Sequence, residues 1–118
     1  MAATSSDERS ATESINDKIK QLIKDHKVIV FSKTYCPYCT KAKKVLGKYK
    51  LNDYKVIELD NMDDGDEYQE ILGQMTDADT VPRVFIAGEC IGGGDDTEKL
   101  DKQGELEKKL KQADALEK

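Results

Sequence analysis

The chain is poor in the residues that build metal sites and disulfide frameworks: it has three cysteines and one histidine in 118 residues. Three cysteines without a secretory context suggest catalytic or metal-binding thiols rather than structural disulfides. A structural zinc site would need two ligands besides Cys36 and Cys39. Only Cys90 and His26 remain, and both stand alone in sequence. No stretch approaches the ~20 apolar residues that span a bilayer. Met1 to Ala11 lacks the basic start and apolar run of a secretory signal, and Arg9 alone does not make a mitochondrial presequence. A cytoplasmic protein is therefore expected, with no membrane partner. The net charge of −5 leaves no basic excess with which to displace phosphate counterions, so no nucleic-acid partner is expected either. The exception is local: Lys41, Lys43, Lys44, Lys48 and Lys50 form either a solvated helix face or a positive field beside the thiols.

What the chain does contain is periodic. Hydrophobic residues make up 37% and charged residues 36%, and the apolar ones fall in regular runs. This length suits one domain able to bury a core without staples. Residues 1–11 have nothing to bury and read as a disordered tail; residues 12–118 read as the domain. There is no internal repeat or low-complexity block.

Ile15, Ile19, Leu22 and Ile23 predict an amphipathic helix over roughly Thr12 to Asp25. Val28-Ile29-Val30-Phe31 reads as a strand buried on both faces. Pro37 suits the first turn of a helix, which Ala42, Val45, Leu46 and Tyr49 continue to about Lys50. Tyr54 to Leu59 is a second strand. Tyr68, Ile71, Leu72 and Met75 mark a third helix starting near Gly65 or Asp66. Arg83 to Ile86 and Glu89 to Ile91 flank Ala87-Gly88 as a hairpin. Asp95 or Asp96 is placed to cap one last helical segment carrying Leu100, Leu106, Leu110 and Ala113. The expected α/β fold is a mixed four-stranded sheet with helices on both faces, its first two strands parallel through a right-handed crossover.

The motif Cys36-Pro37-Tyr38-Cys39 lies where the first strand ends and a helix begins. Exposed N–H groups and a partial positive charge at that helix start favour a thiolate. Lys33, Lys41 and Lys43 push in the same direction. Cys36, at the helix mouth, is the expected exposed nucleophile. Cys39, inside the first turn, is expected to be more buried and less acidic, and close enough to form a disulfide with Cys36. Cys90 reads as a small buried hydrophobe. His26 reads as a charge at a helix C-terminus. Met62 and Met75 read as packing residues.

Together, Lys33 to Cys39, Thr80-Val81-Pro82, Gly92-Gly93 and Asp95-Asp96 resemble the dithiol glutaredoxins of the thioredoxin-fold superfamily, over about Thr12 to Leu116. The resemblance implies a glutathione-disulfide oxidoreductase with glutathione as co-substrate and no metal. Cys36 would reduce protein–glutathione mixed disulfides alone, and Cys39 would act as resolving cysteine when protein disulfides are reduced. Lys33 and Gln69 resemble the residues that hold glutathione's glycine carboxylate. Tyr38 resembles the ring lining the groove. Thr80, Val81 and Pro82 match the turn whose cis-proline presents the Val81 backbone to glutathione, although Pro82 taken alone reads as an ordinary trans proline opening a strand. Gly93, Gly94, Asp95 and Asp96 match the segment that receives the γ-glutamyl end. Singly, each has a plainer reading: Lys33 as a solvated strand end, Gln69 as helix surface, Asp95 or Asp96 as a cap. Alternatives in other classes are a [2Fe–2S] cluster-binding glutaredoxin, which Pro37 disfavours, and a redox-inert adaptor. Protein partners would be glutathionylated or disulfide-bonded proteins, and a monomer is expected.

Overall fold

A computed structural model of the chain describes residues 15–117. The expected tail, 1–11, and the first residues of the expected first helix, 12–14, lie outside the described residues.

The first described helix, α1, covers 15–25. It is followed by β1 (Val28–Ser32), α2 (Pro37–Leu46), β2 (Tyr54–Glu58), α3 (Gly65–Thr76), β3 (Arg83–Ile86), β4 (Glu89–Gly92), α4 (Gly94–Lys102) and α5 (Glu105–Gln112). Strand order is β2-β1-β3-β4. β1 pairs parallel with β2, placing Val28 opposite Tyr54 and Ser32 opposite Glu58. β1 and β3 are antiparallel, as are β3 and β4. This is the mixed sheet that the alternation of strand and helix predicts.

β1 is central and fully buried, which is why its sequence is apolar without alternation. Val28 and Val30 pack on one face, with Ala42, Val45 and Leu46 of α2 and Leu106 and Leu110 of α5. Ile29 and Phe31 pack on the other, with Ile15, Ile19 and Ile23 of α1 and Tyr68 and Leu72 of α3. Phe31 meets Phe85 edge to face at 5.9 Å. Burying each such side chain contributes roughly 1.5–3 kcal/mol, so both helix layers are held by the same strand. The Ala87-Gly88 turn has positive φ at both positions, +52° and +83°, the geometry that closes a two-residue hairpin.

Four expectations need correction. The last helical segment is two helices, because Gly104 takes a left-handed conformation (φ +77°) and turns the chain between them. Neither Asp95 nor Asp96 is the cap of α4; Gly93 is, and the Asp96 carboxylate accepts its N–H at 3.0 Å from inside the first turn. Met75 is exposed rather than packed, because it falls on the outer side of α3. Leu59 also leaves the second strand for a short 3-10 turn, Leu59–Asn61.

At the far end of the sheet, the C-terminal segment returns as a strap. Leu51 bridges Leu116, Asn52 N–H donates to the Ala115 carbonyl at 2.8 Å, and Glu117 N–H donates to the Lys50 carbonyl at 2.8 Å.

Candidate functional site

Cys36 is the N-cap residue of α2, with extended backbone (φ −91°, ψ 118°), and Pro37 opens the helix where a missing N–H costs nothing. The Cys36 Sγ accepts the Cys39 N–H at 3.3 Å, so the sulfur occupies the place where a capping oxygen would sit. Cys36 is half-buried and Cys39 fully buried; both are free thiols. The Lys33 N–H donates to Cys39 Sγ at 3.4 Å. Burial first, then the hydrogen bond with Cys36, pushes the Cys39 thiol up to about 11. The two sulfurs thus have the unequal environments expected of them.

The loop that presents Cys36 is clamped from a distance. The Thr34 N–H donates to Asp60 Oδ1 at 3.0 Å, and the Thr34 hydroxyl donates to Asp60 Oδ2. These bonds hold the Asp60 carboxyl below its ordinary range. Asp60 was not singled out in the sequence, since nothing local marks a pairing across 26 positions.

The predicted lysine field is mostly spent elsewhere. Lys41 Nζ pairs with Asp95 at 2.8 Å while lying over the Tyr38 ring, and Lys43 Nζ pairs with Glu58 at 2.8 Å. The α2 start itself lies directly at Cys36 Sγ.

Next to the cysteine loop lies a cleft of about 310 Å³. One wall is Thr80-Val81-Pro82 with Arg83; the other is Gly93-Gly94-Asp95-Asp96, and Tyr38 closes the side toward α2. The Val81–Pro82 bond is cis, and the Val81 carbonyl oxygen lies 3.7 Å from Cys36 Sγ. Gly94 is required by proximity: a Cβ there would sit 2.4 Å from the Tyr38 carbonyl oxygen. Tyr35 and Tyr38 are both more than half exposed and give the site an aromatic rim.

The structure therefore gathers Tyr38, Thr80, Val81, Pro82, Gly93, Gly94, Asp95 and Asp96 in one cleft, and adds Arg83, which the sequence had marked only as the start of a strand. Lys33 and Gln69 do not line it. Lys33 stands at the end of β1, its carbonyl accepting the Cys36 N–H at 3.2 Å. Gln69 donates its side-chain N–H to the Asp79 carbonyl at 2.6 Å, within a separate cleft on α3. Cys90 is half-buried against the layer containing Phe85. His26 directly follows α1 and pairs with Asp53 at 2.8 Å. Among the described residues, no group of three or more His, Cys, Asp and Glu side chains is placed to hold a metal ion.

A family model described as glutaredoxin matches residues 28–91, from the first strand through the hairpin. The mitochondrial glutaredoxin-2 of Homo sapiens is 47% identical over 103 residues, which is 87% of this chain and 62% of that protein. The glutaredoxin of Ricinus communis is 48% identical over 99 residues, 84% of this chain and 96% of that one. Among solved structures, a buckwheat glutaredoxin–glutathione complex superposes with a TM-score of 0.84 at 39% identity, covering 90% of this chain and 96% of the other.

Proposed function

The chain belongs to the glutaredoxin family, and from that premise we infer that it is a glutathione-dependent thiol–disulfide oxidoreductase that reduces protein–glutathione mixed disulfides through Cys36. The observation that carries this reading is the position of Cys36 Sγ. It caps a helix start, lies 3.7 Å from the Val81 carbonyl, and borders a cleft walled by two backbone segments.

The steps follow ordinary thiol exchange. The Cys36 thiolate attacks the glutathione sulfur of the mixed disulfide. That S–S bond breaks, the protein thiolate leaves and takes a proton, and glutathione stays bonded to Cys36. A second glutathione, as thiolate, attacks the bound glutathione sulfur, releasing glutathione disulfide and restoring the Cys36 thiolate. The α2 start stabilises Cys36 both as attacker and as leaving group, because its N–H groups face the negative sulfur in each role. The Val81 backbone beside it is placed to pair with an extended peptide such as glutathione, as an added strand would.

In the second route, Cys36 attacks a protein disulfide and Cys39 attacks Cys36 to release the protein. With its thiol raised to about 11, Cys39 is protonated at neutral pH and does not compete with Cys36 for the first attack. Lys33 and the γ-glutamyl segment Gly93 to Asp96 are the proposed contacts for glutathione's two ends. Gln69 is a weaker candidate, because its amide is already engaged by Asp79. The Thr34–Asp60 clamp positions the loop between them.

The test is glutathione-coupled reduction of a small mixed disulfide, followed through NADPH and glutathione reductase. Wild type and Cys39→Ser are expected to turn over, and Cys36→Ser to fall to background. Activity surviving in Cys36→Ser would refute the assignment. Inactivity of all three, with visible absorbance after anaerobic reconstitution, would favour the cluster-binding alternative; inactivity without colour would favour an adaptor.

A further inference from the structure

Arg83 is a buried cation in the cleft wall. It is 9% exposed. Its Nε donates to the Pro82 carbonyl at 2.9 Å, and Nη2 makes a long contact of 3.5 Å to Thr80 Oγ1. A guanidinium has further N–H donors in the same plane, and among the described residues no carboxylate lies within ion-pairing distance of them. Removing a cation from water without a counter-charge is costly. Neither nearby acid pairs with it: Asp95 bonds Lys41 at 2.8 Å, and Asp96 accepts the Gly93 N–H at 3.0 Å. Nη2 also lies close under Gly93, 3.0 Å from where a Cβ on that residue would be. The guanidinium and the start of α4 therefore approach each other across the cleft.

The geometry points to Arg83 as a specificity-determining residue whose guanidinium, together with the α4 start, receives the γ-glutamyl carboxylate of a glutathione adduct. This rests on the glutathione reading above. Of glutathione's two ends, only the γ-glutamyl end carries a carboxylate and an ammonium together. The cleft offers both complements, a buried guanidinium on one wall and the exposed acids Asp95 and Asp96 on the other. A fork of N–H donors with a helix start beside it suits a carboxylate better than a point charge does.

The experiment compares one peptide carrying three adducts: glutathionyl, cysteinylglycyl (no γ-glutamyl group) and γ-glutamylcysteinyl (no glycine). Each is assayed with wild type, Arg83→Met and Arg83→Lys. The wild type should prefer the glutathionyl over the cysteinylglycyl adduct in kcat/KM. In Arg83→Met this preference should shrink about tenfold, through KM rather than kcat. In Arg83→Lys, which keeps the charge without the fork, it should shrink roughly threefold. An equal loss on the glutathionyl and cysteinylglycyl adducts would overturn the proposal and leave Arg83 as a support of the Thr80–Pro82 turn. A loss that follows the glycine end would overturn it as well. If Arg83→Met does not fold, Arg83→Lys decides, and unchanged discrimination there overturns the proposal. Wild type failing to turn over the glutathionyl adduct at all would instead remove the glutathione reading on which the proposal stands.

Discussion

One stretch of chain, residues 77–83, contributes to two clefts of very different character. Thr80 to Arg83 wall the cleft of about 310 Å³ near Cys36. Asp77, Ala78 and Asp79 line another, of about 580 Å³, against α3. The larger one is lined by Asp66, Glu70, Asp77 and Asp79, with Gln69 and Gln74, and no cysteine or cation lines it. The smaller one also carries two acids, Asp95 and Asp96, but adds a helix start, a buried guanidinium and a neighbouring thiol. An anionic sulfur and an anionic peptide are repelled by the first and accommodated by the second. Volume favours the acidic cleft; the helix start, the guanidinium and the neighbouring thiol favour the smaller one for the proposed glutathione site.

The comparison can be broken most sharply with a pair of glycines. Gly94→Ala drives a Cβ to 2.4 Å from the Tyr38 carbonyl, and Gly73→Ala drives one to 2.8 Å from the Asp79 Cβ. Both should destabilise by about 1–3 kcal/mol as overpacking. Only Gly94→Ala should also lower kcat/KM on a glutathione mixed disulfide per folded molecule, by roughly tenfold, because it shifts the wall of the reactive cleft. Equal activity losses would mean that the two clefts work as one. Chemical denaturation alongside the assay separates the two effects.

A smaller effect is expected at Asp60, an acid tolerated near the cysteines because it binds Thr34 rather than facing the cleft. Its carboxyl is held below the ordinary range, first by the Thr34 hydroxyl and then by the Thr34 N–H. The folded state therefore favours the ionised form. The clamp's contribution is present above the ordinary aspartate range and is lost as pH falls through the lowered value. Asp60→Ala lacks it at every pH. Thermal unfolding curves of wild type and variant should separate at neutral pH and converge in acid, and activity should drop roughly threefold, as for an exposed pair. Parallel curves down to low pH would show that the clamp does not titrate with Asp60.

The smallest change is expected from Gln69→Ala, which removes one bond to the Asp79 carbonyl in the acidic cleft. KM for the glutathionylated substrate should move by less than about twofold. A tenfold rise would bring Gln69 back into the glutathione site and join the clefts.

Much of this was legible in the chain because its signals are local. The unbroken apolar run of β1, Pro37 after Cys36 and the Ala87-Gly88 turn each encode their own geometry. The Cys36–Cys39 asymmetry was legible too, since it follows from position in the first helical turn. What escaped depends on side chains meeting across the fold. Thr34 finds Asp60, Lys41 finds Asp95 and Lys43 finds Glu58 only after the sheet and helices have packed. Arg83 reads as an ordinary strand start until Gly93 is laid over it. The split between α4 and α5 was signalled by Gly104, but the continuing leucine spacing masked it.

The strap that joins Leu116 to Leu51 has a practical meaning. It fixes the last described residues beside Asn52 and Lys50, at the end of the parallel strand pair where Val28 and Tyr54 begin. Cys36 follows the other end of β1. A linker attached after Glu117 would therefore leave from the pole remote from the sulfur. Immobilised on a bead or an electrode by that handle, the protein would point its reactive thiol into solution, and a short tether would suffice.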